Sequence, residues 1–181
     1  YEDASYEVML YEFKDGLNKY FNGLGNDAPV KNISELIEFN KSDEIELRYF
    51  DQKILEQADK KGDLSSPEYK KSLEKMLKAT RENGIDSLMN SNDLDALISP
   101  TGSPAWKTDL LLGDHFIGGS SSLAAISGYP AISVPMGFVE NLPVGITFFG
   151  REWSEPVLIE IAYGYEQGTK HRKVPKYLVT D

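Results

Sequence analysis

The hydrophobic period changes once along this chain, and that change constrains the fold more than any other feature. Up to about residue 90, apolar residues recur at helical spacing. From Asp95 to Gly150 they come in short continuous runs bounded by proline and glycine. Helices first and strand–helix units later predict an α/β layered arrangement. Three short strands make a thin sheet for 181 residues.

In the first part, Tyr6, Met9, Leu10, Phe13, Leu17, Tyr20, Phe21 and Leu24 follow i, i+3, i+4, i+7 spacing. They predict an amphipathic helix closed by Gly23 and Gly25. Asn26 to Lys31 reads as a turn, and Ser34-Glu35-Leu36-Ile37 as the start of a short helix. Leu47, Tyr49, Phe50, Ile54, Leu55 and Ala58 predict helix over Ile45 to Lys60, ending at Gly62. Ser66-Pro67-Glu68 is the best-marked helix start. Serine can accept from free backbone N–H groups, proline suits the first turn, and glutamate favours the positive end of the helix dipole. Tyr69, Leu73, Met76, Leu77 and Thr80, then Ile85, Leu88 and Met89, carry one long helix to about Asn90. Asn83-Gly84 is where it could break.

Ala96-Leu97-Ile98-Ser99 then predicts a buried strand halted by Pro100, and Ala131-Ile132-Ser133-Val134 a second, stopped by Pro135. Val144 to Phe149 is a third, bounded by Pro143 and Gly150. Ser122 to Ser127 reads as a small-residue helix between two strands. Ser154-Glu155-Pro156 opens a closing helix with the face Leu158, Ile161, Ala162 and Tyr165, followed by a basic tail, Lys170 to Lys176.

Composition narrows the chemistry. The hydrophobic fraction of 40% and charged fraction of 27% are those of a soluble globular protein. A net charge of −10 argues against a phosphate-backbone partner, so no nucleic-acid binding is expected. There is no cysteine, which excludes disulfides, thiolate metal sites and cysteine nucleophiles. His115 and His171 fit no metal-ligand spacing, and neither a metal nor a cofactor is expected. No apolar run approaches the ~18–20 residues needed to span a bilayer, so no membrane role is expected. The chain starts at Tyr1 rather than Met, with residues that already read as helix, so either something was removed upstream or this is a piece of a longer protein. A missing signal peptide then says nothing about compartment; a cytoplasmic setting is the working expectation.

The run Gly118-Gly119-Ser120-Ser121-Ser122 invites several readings. Gly113 and Gly118 have the spacing of a phosphate loop, but Gly119 stands where that loop needs lysine. A nucleophile elbow would need glycine where Leu123 stands. An anion- or carbonyl-binding nest at the start of the following helix remains open, beside a cluster that merely caps it. Ser121, His115 and Asp114 could be imagined as a triad, yet a carboxylate seldom orients the ring next to it in sequence. Trp106 lies in the loop leaving the first strand's carboxyl end, where open α/β sheets form pockets. Thr101 and Trp106 read either as pocket wall or as core packing.

Three segments taken in order carry a resemblance: Asp95 to Thr101 (DALISPT), Ile126 to Phe138 (ISGYPAISVPMGF) and Leu142 to Gly150 (LPVGITFFG). Together they resemble the C-terminal part of the amidase signature family, and the Ser120 to Ala125 run is most similar to its peptide-amidase-type members. The helices from Tyr6 to Asn90 are similar to the helical segment preceding that block. The resemblance implies a central mixed sheet of many strands wrapped by helices, incomplete in this chain. It also implies hydrolysis of a non-cyclic carboxamide through a lysine, a cis-peptide serine and a nucleophilic serine. Those three belong to a Gly-Ser-rich segment that this chain does not match. No catalytic residue is therefore assigned, and Ser120, Ser121 and Ser122 become wall elements.

The expectation is thus a partial domain: a helical segment, 1–92, and a strand–helix segment, 93–181, that contributes to the sheet and the substrate pocket. Thr101, Trp106, Ser120, Ser121 and Ser122 are the expected substrate-binding residues. The expected partners are the missing N-terminal half, a small-molecule or peptide amide substrate, and a second copy joined through an exposed sheet edge. The rival is a non-catalytic binding module or inactive amidase-like scaffold, in which the Gly-Ser turn grips a carboxylate or carbonyl.

Overall fold

The computed structural model describes residues 1–176, so positions 177–181 of the second segment lie outside the described residues. The chain divides into two compact units, Tyr1–Ala79 and Thr80–Asp181.

In the first unit, α1 (Glu2–Gly23), α2 (Ile33–Ser42) and α3 (Lys53–Asp59) enclose a core of Leu10, Ile33, Ile37 and Ala58. Helix α2 starts one residue before the expected Ser34. Asn32 caps it by accepting from the Glu35 N–H, and Glu35 reaches back to accept from the Lys31 N–H, a reciprocal cap. Lys14 Nζ donates to the carbonyls of Asp59 and Lys61, both at 2.6 Å, and so satisfies oxygens at the end of α3. Helix α4 (Pro67–Thr80) begins where Ser66-Pro67-Glu68 predicts.

Three expectations are corrected here. Only Lys53–Asp59 of the stretch 45–60 is helical. Asp43 accepts from the N–H groups of Ile45 and Glu46, and Asp51 from that of Lys53, giving the backbone local turns in place of helix. The long helix to Asn90 is broken: a π-helical turn, Arg81–Asp86, separates α4 from α5 (Ser87–Asn92), with Gly84 outside helical geometry at φ −115°, ψ −108°. On α1 the helix stands, but the buried face turns to Ala4, Val8, Leu10, Tyr11 and Phe21, which leaves Tyr6, Met9, Phe13 and Tyr20 exposed.

The second unit holds β1 (Leu97–Pro100), α6 (Ser121–Ser127), β2 (Ala131–Val139), β3 (Leu142–Phe149) and α7 (Glu155–Thr169). The strands form an antiparallel sheet in the order β1-β3-β2. The fold is therefore α/β, as expected, and these three strands pair only antiparallel. Strand β2 does not stop at Pro135; it continues to Val139 across a register shift between Pro135 and Gly137.

Alternation gives the sheet two faces. Ile132, Val134, Ile146 and Phe148 pack with Leu158 and Ala162 of α7. Leu97 and Phe149 on the opposite face pack with Ile85, Met89, Leu123 and Ala124. This second cluster is why the spatial division falls before Thr80, whereas the change of period lies near residue 92: the 81–92 segment buries Ile85 and Met89 against α6 and the sheet. Further along that same face the row turns polar, with Ser99 and Ser133 each opposite Thr147.

Candidate functional site

Beyond Pro100 the chain leaves the sheet through Thr101–Ser103 and returns through Gly118–Ser120. The two arms touch at a bridge between Gly102 and Gly119, and the Ser120 N–H donates to the Thr101 carbonyl at 3.2 Å. Close approach is built into this contact, since a Cβ on Gly119 would lie 3.3 Å from that carbonyl oxygen. A cleft of about 300 Å³ opens between the arms, lined by Ser99, Pro100, Gly102 and Ser103 on one side and Ile117, Gly118 and Gly119 on the other. That volume is at the small end of ligand pockets. Ser103 Oγ is buried here without a hydrogen-bond partner among the described residues.

Each residue expected from the sequence has a definite place. Thr101 is tied to the sheet, its N–H donating to Gly145 O at 2.8 Å and its Oγ1 lying 2.8 Å from Thr147 Oγ1. Ser120 leans on Thr101 through its N–H. It occupies the position before α6 but makes no side-chain cap there, so the capping reading is not realised at Ser120. Ser121 and Ser122 are exposed in the first turn of α6. Trp106 is 39% exposed, donates from Nε1 to Asp114 Oδ1 at 3.0 Å, and meets the Phe116 ring edge-on. Thr101 and Ser120 are thus brought together, but none of the five expected residues is among those lining the cleft, which are their chain neighbours. Asp114 accepts from Trp106, and among the described residues no hydrogen bond joins it to His115. Among the described residues no cluster of His, Asp or Glu could hold a metal ion.

Ser103, Thr147 and Ser133 were missed. The period-2 pattern could have placed Ser133 and Thr147 on one face, but only the register sets them opposite each other. Ser103 has no sequence signal at all, because its burial depends on how the two arms meet.

The tip of the loop is a single turn held by Asp109. Its carboxylate accepts from the N–H groups of Leu111 and Leu112, both at 2.9 Å, leaving Leu111 95% and Leu112 82% exposed. These two bonds hold the Asp109 carboxyl below the usual aspartate range. The sign is that of a depressed acid: the turn is held at neutral pH and is lost as pH falls through the lowered value. In an NMR titration the Leu111 and Leu112 amide signals should move together with an apparent pKa below 3.8. A midpoint at or above that value would remove Asp109 as the clamp.

Residues 1–159 match the profile of the Amidase family. The chain belongs to the amidase family. A probable amidase of Arabidopsis thaliana is 35% identical over 180 residues, a match that takes in 97% of this chain and 31% of that protein. The native peptide amidase of Stenotrophomonas maltophilia superimposes with a TM-score of 0.87 at 40% identity, covering 98% of this chain and 36% of that one. A peptide amidase in complex with the competitive inhibitor chymostatin superimposes with a TM-score of 0.90 at 41% identity, covering 97% and 36%. The chain therefore spans about a third of the length of these relatives. Family membership agrees with the motif order DALISPT, ISGYPAISVPMGF, LPVGITFFG. Among the described residues no helix is long and apolar enough to cross a membrane.

Proposed function

We propose that this chain is the C-terminal part of a longer amidase that hydrolyses a linear carboxamide to a carboxylate and ammonia or an amine. The observation that carries the reading is the peptide-amidase likeness: 97% of the chain superimposes on 36% of a peptide amidase at a TM-score of 0.90. In this reading a serine of the preceding part attacks the amide carbon and the C–N bond breaks. The nitrogen leaves with a proton relayed through a bridging serine and a lysine, and water then releases the acid from the acyl-enzyme. The chain's own contribution is one wall of the pocket. We assign Thr101, Trp106, Ser120, Ser121 and Ser122 to that wall, beside the cleft that their chain neighbours, Ser103 among them, line. A cytoplasmic setting belongs to the same reading, and cell fractionation tests it.

The 181-residue chain alone should hydrolyse no simple amide, whereas the longer protein containing it should do so. Turnover by the purified chain would overturn the placement of the nucleophile. Carboxamide binding with no turnover in the longer protein would favour the rival binding module or inactive scaffold.

The same reading supplies partners for apolar surface this chain leaves open. Tyr6, Met9, Phe13 and Tyr20 on α1, and separately Leu111, Leu112 and Ile117 on the loop, are exposed. We assign them to contact with the preceding part of the protein or, in its absence, with a second copy. The chain alone should therefore bind a hydrophobic dye or self-associate in sedimentation. A strictly monomeric chain without dye binding would count against a missing partner layer.

A further inference from the structure

A row of three hydroxyls crosses the polar part of the sheet. Thr101 Oγ1 lies 2.8 Å from Thr147 Oγ1, which lies 2.8 Å from Ser133 Oγ. Thr147, in the middle, is only 4% exposed. The row depends on Gly145: a Cβ there would stand 2.7 Å from Thr101 Oγ1 and 3.2 Å from Thr101 Cβ, so any larger residue pushes Thr101 off the row. The Thr101 N–H bond to Gly145 O holds the same residue from its backbone.

Counting protons shows what such a row can do. Three hydroxyls carry three protons, and the two contacts within the row use two of them. The third is left at one end. When Ser133 donates to Thr147 and Thr147 to Thr101, the remaining proton is that of Thr101, strengthened as a donor by the bonds behind it. Thr101 is exposed and stands between Pro100 and Gly102, both on the wall of the cleft.

We propose that the row presents the Thr101 hydroxyl as a hydrogen-bond donor to the carbonyl or carboxylate oxygen of the ligand, with Thr147 and Ser133 as positioning residues that orient its proton. The ligand class rests on the amidase reading; the row itself rests on the sheet.

Two measurements test it. The ¹⁵N-labelled 181-residue chain is titrated with N-acetylglycinamide and, separately, with acetate, following the amides of Thr101, Gly145 and Thr147. The longer protein is assayed for hydrolysis of N-acetylglycinamide. Thr101→Val and Thr147→Val should each weaken carboxamide binding by about five- to tenfold, the effect of one hydrogen bond, and Ser133→Ala by about twofold to threefold. Thr147→Ser should restore wild-type binding. In the longer protein the loss should fall on KM and leave kcat unchanged, which a merely structural defect would not do.

Unshifted Thr101, Gly145 and Thr147 amides would overturn the proposal, as would Thr147→Val and Ser133→Ala without effect where Thr101→Val weakens binding. If Thr147→Val fails to fold, Thr147→Ser and Ser133→Ala carry the test. A longer protein that binds the carboxamide through the row and hydrolyses nothing sinks the enzyme reading and leaves the row standing. Hydrolysis unaffected by these variants does the reverse.

Discussion

Replacing Leu158 by alanine is expected to cost the unit Thr80–Asp181 about 3–4 kcal/mol of stability. Leu158 is 1% exposed and packs with Phe148 and Ala162, the contact by which α7 covers one face of the sheet. The cost of such a truncation depends on how far the surroundings can collapse into the space left behind. Here collapse is restricted. The backbone at Gly150 already lies so close to α7 that a Cβ there would sit 3.4 Å from Leu158 Cδ2 and 2.6 Å from Ser154 Oγ. The helix start is therefore against the end of β3 and has little room to move inward. A urea titration should show a lower midpoint with an unchanged slope. Leu158→Met, which keeps most of the volume, should lose less than about 1.5 kcal/mol. A loss below about 1 kcal/mol for the alanine variant would mean that α7 contributes little to holding the sheet.

Much of this unit was legible because its punctuation is chemical. Pro100 and Gly150 bound strands in the sequence and in the structure, and Pro156 opens α7. The misreading of Pro135 is equally physical. Proline lacks a ladder donor, but among the described strands β2 lies at the edge of the sheet and bends there through a bulge, where that donor is dispensable. Pro143 was read as a boundary and sits inside β3 for a related reason. Strand β1 pairs with β3 only from Ile146 onward, so among the described residues no strand flanks that side of β3 at Pro143. Residues 45–60 failed differently. Apolar spacing there is helical, yet Asp43 and Asp51 offer the backbone competing local bonds, and spacing is blind to that competition.

The site was legible as a neighbourhood and not as a surface. Glycine and serine density marked the arms that meet at Gly102 and Gly119, and Thr101 with Ser120 was brought together. Which side of each arm faces the cleft depends on a bridge nearly twenty residues apart in sequence, which no local pattern encodes. Gly145 is the clearest case. In the sequence it is only a weak point in a strand; in the structure it is the room into which the Thr101 side chain leans.

Arg81→Ala should destabilise the same unit by about 2–3 kcal/mol, through a buried carbonyl left unpaired and a lost ring contact. Arg81 Nε donates to Ser127 O at 2.7 Å, and its guanidinium lies 5.3 Å from the centre of the Tyr129 ring. Ser127 is fully buried at the end of α6, and Gly128 turns the chain there at φ +70°. From the other end of the π-helical turn, Asp86 accepts from the Tyr129 hydroxyl at 2.9 Å. Arg81 and Asp86 thus grip Ser127-Gly128-Tyr129 from both sides and set where α6 ends and β2 begins. Arg81→Lys should recover little, since an ammonium cannot both bond the carbonyl and stack flat on the ring. Gly128→Ala should also be costly, because a Cβ would sit 3.3 Å from Arg81 Nη2 on a backbone that alanine disfavours. Tyr129 adds a pH signature. Partial burial, then the bond to Asp86, hold its hydroxyl above the ordinary tyrosine value of 10.0. Its contribution is therefore complete at neutral pH and is lost as pH rises from about 10 through the raised folded value. Urea midpoints measured across that range should fall for the parent chain and stay flatter for Tyr129→Phe. An equal fall in both would show that the grip on this turn does not run through the Tyr129 hydroxyl.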